Sequence, residues 1–248
     1  MHLRVVTWNI HKGIGGVDRR YRLERVVQVL SNIGPDVALL QEVADDLPRS
    51  KFHDQAEMLG EALGLSHVAF HPEHRFTRGG YGNAILSRFP LANVSPVDLT
   101  IGTRKRRGVL QAQARIRSEG GSRTVVLHNM HLGLAGSERA LQLQRFLDCH
   151  PFRGIHAHTP VVVGGDLNDV WGTLGPRFLI PNGFRRVGPL ANTFPAAFPV
   201  RPLDGLFVRG DLHAERPAHL ERTALSRVAS DHLPLVADLS LTIDRKSR

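Results

Sequence analysis

An imidazole and a carboxylate stand side by side in Ser230-Asp231-His232-Leu233-Pro234, just ahead of the apolar run Leu235-Val236-Ala237. Held by a loop at a strand edge, such a pair is the minimum needed to move a proton. Several earlier apolar runs also end in polar residues: Asn9, Glu42, His131, Asp166 with Asn168, and Asp204. Carboxylates with an amide oxygen, and no clustered cysteines, suit a hard divalent cation. Mg²⁺ keeps several waters and takes one or two direct carboxylates, so Glu42 with Asn9 would suffice beside Asp231. His232 could take a proton from a water if Asp204 or Asp231 held its ring. Asn168 and His131 could donate hydrogen bonds to an oxyanion. Together these parts describe hydrolysis of a phosphate ester.

The elements that must position these residues are those of an α/β chain. Residues 3–8 predict a buried strand ending at Asn9. Leu23, Val26, Val27 and Leu30 recur at helical spacing, and Gly34-Pro35 stop that helix. Val37 to Leu40 predict a strand ending at Gln41-Glu42, and 53–63 a second helix. Residues 66–70 predict a strand leading into a long loop, His71 to Gly82, that carries Arg75, Phe76, Arg78 and Tyr81. Further strands are expected at 83–87, 91–98, 109–116, 123–128, 161–163, 203–208, 211–221 and 235–241. A hairpin turn is expected at 119–122. Ser137 is placed to cap a helix, and a short helix is expected near 171–179. One internal echo stands out. Trp8-Asn9-Ile10-His11-Lys12-Gly13 parallels His128-Asn129-Met130-His131-Leu132-Gly133, and each is followed by a helix, a Pro, an apolar strand and an acid. Two similar halves whose strand ends meet at one site would produce that pattern.

The 248 residues carry no linker-like segment, so one domain over 1–243 is expected, with a frayed tail at 244–248. The single cysteine, Cys149, rules out an internal disulfide. With no run of ~18 apolar residues and no leader-like start, the expectation is a cytoplasmic protein without a transmembrane segment. Lys plus Arg outnumber Asp plus Glu by 32 to 23, a formal charge of +9 that favours polyanionic partners. Nucleic acid is the first of these and an anionic lipid surface the second. Gly13-Ile14-Gly15-Gly16 lacks the Lys-Ser/Thr of a nucleotide-binding P-loop. Trp8 and Trp171 are expected to pack in the core or at its rim.

Six segments resemble the endonuclease/exonuclease/phosphatase family of pancreatic-deoxyribonuclease-like, metal-dependent phosphohydrolases. They are Trp8-Asn9-Ile10, Leu40-Gln41-Glu42-Val43, Gly82-Asn83-Ala84-Ile85-Leu86-Ser87, Asn129-Met130-His131-Leu132, Gly165-Asp166-Leu167-Asn168 and Ser230-Asp231-His232-Leu233-Pro234, in order along the chain. The resemblance implies a four-layer α/β/β/α sandwich, with two mixed sheets packed face to face. It implies that Asn9 and Glu42 hold one Mg²⁺ or Mn²⁺ with Asp231 nearby, and that His232, oriented by Asp204, activates water. Asp166 would align the nucleophile or handle a proton at the leaving group, and Asn168 and His131 would stabilise the transition state. Arg107, Arg78, Tyr81 and Asn83 are the expected substrate-binding side chains. Gly205 replaces the aromatic or basic residue expected beside Asp204. The function expected is a monomeric nuclease acting on DNA or RNA. A phospholipid or small-molecule phosphodiesterase is the alternative within the fold, although no exposed hydrophobic hairpin is evident in the sequence. A non-catalytic phosphate- or nucleic-acid-binding module is the alternative outside enzymes.

Overall fold

The computed structural model describes residues 1–118 and 121–242, so the tail at 244–248 and half of the turn expected at 119–122 lie outside it. Strands β1 (His2–Asn9), β2 (Val37–Asp45), β3 (His67–Arg75), β4 (Gly80–Ser87), β5 (Leu91–Asp98), β6 (Gly108–Ser118) and β7 (Gly121–His131) come first. They are followed by β8 (Val161–Asp166), β9 (Arg185–Arg186), β10 (Asp204–Arg209), β11 (Leu212–Ala214), β12 (His219–Leu220) and β13 (Leu235–Leu241). The α-helices are α1 (Leu23–Ile33), α2 (Gln55–Leu63), α3 (Gly136–Asp148), and the short α4 (His150–Arg153) and α5 (Ser226–Ala229).

The strands form two mixed sheets. One runs β11-β13-β1-β2-β4-β3, with β12 also on β13, and the other runs β5-β6-β7-β8-β10-β9. Each contains one parallel pair, β1–β2 in the first and β7–β8 in the second. A parallel neighbour needs a crossover, and α1 and α3 supply one each. These two units are the halves that the sequence echo marks.

Period-two alternation places the layers. On β1, Leu3 and Val5 face the apolar interior between the sheets, joined there by Leu39, Ile85, Leu110, Leu127 and Leu206. Val6 and Trp8 point the other way, into a second core with Val26, Leu30 and Leu59 of α1 and α2. A third core on the far side of the second sheet packs Val161 and Val163 against Leu143, Phe146 and Phe152. The result is the expected α/β/β/α sandwich. On α1 the buried residues Leu23, Val26, Val29, Leu30 and Ile33 make one stripe, and Gly34 at φ 61 closes the helix with its N–H on the Leu30 carbonyl. Asp54 caps α2 by accepting from the Glu57 N–H at 3.1 Å.

Several elements differ from expectation. The long loop expected over 71–82 is mostly strand, because β3 and β4 pair as far as Arg75 and Gly80 and leave only residues 76–79 to turn. The polar residues of β3 hid its length. Ser137 does not cap α3, which starts one residue earlier after Ala135 without a side-chain cap. The helix near 171–179 is a wide turn at Gly175–Leu179 running into a tight one at Ile180–Asn182. The strand expected over 211–221 is two short pieces, β11 and β12.

Two amides tie the sheets together through the middle of the sandwich. Gln41 Nε2 donates to Asn129 Oδ1 at 2.7 Å, to Thr7 Oγ1 at 3.1 Å and to the Leu39 carbonyl at 2.9 Å. Asn129 Nδ2, on β7, donates to the Leu40 and Ala84 carbonyls, each at 2.8 Å. Both residues are fully buried. Asn129→Ala removes three bonds and leaves buried groups unpaired, so it should cost about 3 kcal/mol in urea unfolding. A loss below about 1 kcal/mol would show that the bridge does not hold the sheets.

One residue before it, His128 is buried against Phe146 at 5.0 Å between ring centroids, with no hydrogen-bond partner among the described residues at either ring nitrogen. Burial, and then the charge of Arg209, push its pKa down to about 3. The unfolded chain takes up a proton near pH 6.5 that the folded chain refuses. The stability it supports is therefore complete above about pH 6.5 and is lost as the pH falls toward 3. Between pH 6.5 and 5 the wild type should lose about 2 kcal/mol more than His128→Leu, measured by denaturant unfolding at both values. Equal losses would contradict a buried neutral imidazole.

Candidate active site

Every polar strand end singled out in the sequence emerges at one edge of the sandwich. Across β7, β8 and β10 the register sets His131 opposite Asp166, and Asp166 opposite Asp204. Asp166 therefore sits between the other two. Gly165 precedes it at φ 150, where a Cβ would lie 1.8 Å from the Met130 carbonyl oxygen, so only glycine lets β8 approach β7 this closely. On the other sheet Asn9 pairs with Gln41. The β2–β4 register shifts between Leu40 and Val43, and Glu42 adopts φ 53 within that bulge. A bulge re-aims a side chain, and here it turns Glu42 into the cleft. The Asp231-His232 loop is stitched to β1, with Ser230 Oγ donating to the Asn9 carbonyl at 2.7 Å and Trp8 Nε1 to the His232 carbonyl at 2.8 Å.

The cleft between these ends is lined by Asn9, Glu42, Lys105, Arg107, His131, Leu134, Asp166, Asn168, Phe194, Arg201, Leu203, Asp231 and His232. Asp204 lies behind His232, with its Oδ2 2.8 Å from His232 Nδ1. Of the two acids the sequence left open as ring holder, it is Asp204 that does so. His232 Nε2 is 3.7 Å from Asp166 Oδ2, and His131 Nε2 is 3.5 Å from the same oxygen. Asn9 Nδ2 donates to that oxygen at 3.0 Å, and the Asn168 N–H donates to Asp166 Oδ1 at 3.0 Å. Asn168 Nδ2 is held by the Leu132 carbonyl at 2.9 Å.

Charge is divided unevenly across this cluster. Burial pulls the His232 imidazolium down, but the carboxylates of Asp204 and Asp166 outweigh it and hold its pKa at about 10. Burial raises Asp166 to about 6 against the opposing charge of His232. His131 lies well below the usual histidine range, from burial and then the Arg107 guanidinium, so it is neutral. Burial would raise Glu42, but the Lys12 ammonium outweighs it and brings it to about 2. The Lys12 ammonium bonds directly to Glu42 Oε2 and lies over the Tyr81 ring at 4.6 Å.

Three expected substrate contacts are placed elsewhere. Arg78 is outside the cleft, bound to Asp46 at 3.1 and 3.2 Å with its guanidinium 4.2 Å over the Phe52 ring. Tyr81 is buried beneath Lys12 and stacked near His74. Asn83 is buried on β4 and donates to Glu73 at 2.9 Å. Arg107 does line the cleft, with Nη1 3.5 Å from His74 Nε2. Lys12, Lys105, Phe194 and Arg201 join the site without having been singled out for it. Lys12 sits in a left-handed turn at φ 60, and Phe194 and Arg201 flank a Pro-rich stretch, so neither follows an apolar strand that would mark it. Gln41 and Asn129 lie inside recognised motifs, where an amide beside a site residue was the available signal.

The donors fit a hard cation. Asn9, Glu42 and Asp231 each bring a side-chain oxygen to the cleft lining, and Glu42 already contacts a positive group in Lys12. Asn9 Oδ1 accepts the His11 N–H at 3.0 Å, which leaves it one lone pair. Asp166, Asp204 and His232 also bring ligand atoms within 4.8 Å of one another. There His232 Nδ1 and Asp204 Oδ2 are already hydrogen-bonded to each other at 2.8 Å.

The comparisons with known proteins agree with this geometry. The chain is 28% identical to the uncharacterized protein YbhP of Escherichia coli over 96% of both chains. It superposes on an endonuclease/exonuclease/phosphatase from Beutenbergia cavernae with a TM-score of 0.80 and 26% identity, over 97% of this chain and 72% of that one. Truncated TDP2 of Caenorhabditis elegans shares the fold with a TM-score of 0.69 and 22% identity, over 96% of this chain and 97% of that one. No helix among the described residues is long and apolar enough to cross a membrane. The model of the endonuclease/exonuclease/phosphatase family matches residues 6–232, and the chain belongs to that family, whose members are in general metal-dependent phosphoesterase hydrolases.

Proposed function

We propose that the cleft hydrolyses phosphodiesters, with a water activated by His232 attacking phosphorus. The observation that carries this reading is the chain Asp204–His232–Asp166, with 2.8 Å on one side of the imidazole and 3.7 Å on the other. Asp204 fixes the Nδ1–H tautomer, so Nε2 is the nitrogen that faces the water. Asp166, whose pKa burial lifts to about 6, aligns that water or passes a proton toward the leaving oxygen. Neutral His131 and the free amide hydrogen of Asn168 donate to the phosphoryl oxygens, and Arg107 and Lys105 balance their charge. Mg²⁺ or Mn²⁺ held by Glu42, Asn9 and Asp231 would polarise the P–O bond and offset the negative charge that keeps His232 protonated.

A polynucleotide is the substrate that net charge favours, and the cationic wall of Lys105, Arg107 and Arg201 supports it. Against it, Arg78 is spent on Asp46 and Tyr81 is covered, so the grip expected from residues 71–82 is reduced to the exposed Arg75 and Phe76. The phosphodiester itself is what the remaining groups recognise.

His232→Ala and Asp204→Asn should each lower kcat for bis-p-nitrophenyl phosphate with Mg²⁺ by about 10²–10⁴. Retention of a tenth of the wild-type rate by His232→Ala would remove it as the base. Supercoiled plasmid should be nicked by the wild type and spared by Asp166→Ala if DNA is a substrate. Glu42→Gln should weaken Mn²⁺ binding at least about tenfold in calorimetric titration of the resting protein, with a parallel rise in the Mg²⁺ needed for turnover. Unchanged binding would place the cation elsewhere.

A further inference from the structure

The three most exposed large apolar side chains among the described residues are Trp171 at 80%, Phe198 at 77% and Leu134 at 76%. All three sit on loops that build the cleft. Leu134 lines it directly, three residues after His131. Trp171 lies three residues past Asn168, and the Leu190 side chain abuts the neighbouring Gly172. Phe198 stands at the tip of a small hairpin whose two feet, Phe194 and Arg201, are both in the cleft wall.

That hairpin carries Pro195-Ala196-Ala197-Phe198-Pro199-Val200, six apolar residues in a row. The sequence hid it among prolines, and Trp171, expected to pack, projects outward instead. The hairpin is fixed at its base. Arg201 N–H donates to the Phe194 carbonyl at 2.8 Å, and Thr193 N–H to the Arg201 carbonyl at 2.9 Å. Ala196 N–H donates to the Asp231 carbonyl at 2.7 Å, and the Phe194 ring lies 5.0 Å from the His232 ring. An apolar tip is thus rigidly coupled to the catalytic loop. Exposed Trp, Phe and Leu on a soluble surface mark an interaction site, and aromatic residues settle at the headgroup level of a bilayer.

We propose that this rim docks on an anionic phospholipid bilayer and presents a lipid phosphodiester to the cleft. The proposal rests on the hydrolase reading of that cleft. Its basis is the arrangement of charge. The cations Lys105, Arg107 and Arg201 line the cleft, while Leu134 in its wall and Phe198 and Val200 on the hairpin that rises from that wall stand exposed. A polynucleotide carries a phosphate on either side of the scissile one and would set these against aliphatic tips. A phospholipid carries one diester beside its acyl chains, which matches a single cationic well inside an apolar collar. The net charge of +9 adds attraction to anionic headgroups.

The test is co-sedimentation of the full chain with sucrose-loaded vesicles of equal parts phosphatidylglycerol and phosphatidylcholine, compared with phosphatidylcholine alone. Wild-type protein should pellet with the anionic vesicles, and brominated acyl chains should quench Trp171, since Trp8 is buried. The double variant Trp171→Ser, Phe198→Ser alters two exposed side chains and should fold. It should bind at least about tenfold more weakly while turning over bis-p-nitrophenyl phosphate at the wild-type rate. No pelleting, or equal pelleting of the variant, overturns the docking surface and leaves the hydrolase reading intact. Pelleting without any diester turnover by the wild type overturns the hydrolase reading and leaves membrane docking standing. Plasmid nicking that the double variant loses would make the rim a base-stacking platform and overturn the lipid proposal.

Discussion

The cleft depends on the contact between two carboxamides, Gln41 and Asn129, in an interior that is mostly apolar. Two sheets facing each other across aliphatic side chains have no strong preference for one registration, because apolar contact is not directional. Hydrogen bonds are directional. Asn129 reaches from the second sheet onto the carbonyls of Leu40 and Ala84 in the first, and Gln41 answers it. Glu42 follows Gln41 and His131 stands two residues after Asn129, so this one clasp fixes the Asn9–Glu42 side of the cleft relative to the His131–Asp166 side. An unpaired amide at either position would be costly, and that cost makes any slipped arrangement of the sheets unfavourable.

Opposite charges are then sorted within the cleft. Asp204, Asp166 and Asp231 surround His232, whereas Arg107, Lys105 and Lys12 stand near His131 and Glu42. One histidine is held protonated and the other neutral, although both are buried; the difference comes from their neighbours. Arg107 is kept in place by His74, which burial, Lys105 and Arg107 itself depress to about 4 and leave neutral to accept from it. Behind it Glu73 is pushed up to about 8 by burial despite Arg107, so the guanidinium keeps its charge for the cleft side.

Much of this was legible because strand ends announce themselves. An alternating apolar run that stops at Asn9, Glu42, His131 or Asp166 locates the place where a side chain leaves the sheet, and parallel pairing brings such ends to one edge. The same logic failed where a strand was not apolar. β3 runs His71-Pro72-Glu73-His74-Arg75 beside the polar interior around Asn83, so it passed for a loop and made Arg78 and Tyr81 look like free gripping groups. Nor could alternation reveal Lys12, positioned by a left-handed turn, or the Phe194–Arg201 hairpin, whose prolines carry no period. For a long-range pairing such as His232 with Asp204, the residue types left two acids open and only motif resemblance chose between them, since spacing along the chain does not encode it.

The indole of Trp8 and the hydroxyl of Ser230 bind residues more than two hundred positions away, and β1 pairs along its length with β13. During synthesis β1 leaves the ribosome first and waits with an open edge until the last strand arrives. His232 arrives with the same late segment. A nascent chain therefore holds Asn9, Glu42, His131 and Asp166 long before it holds His232, and the cleft is completed only as translation of the fold finishes.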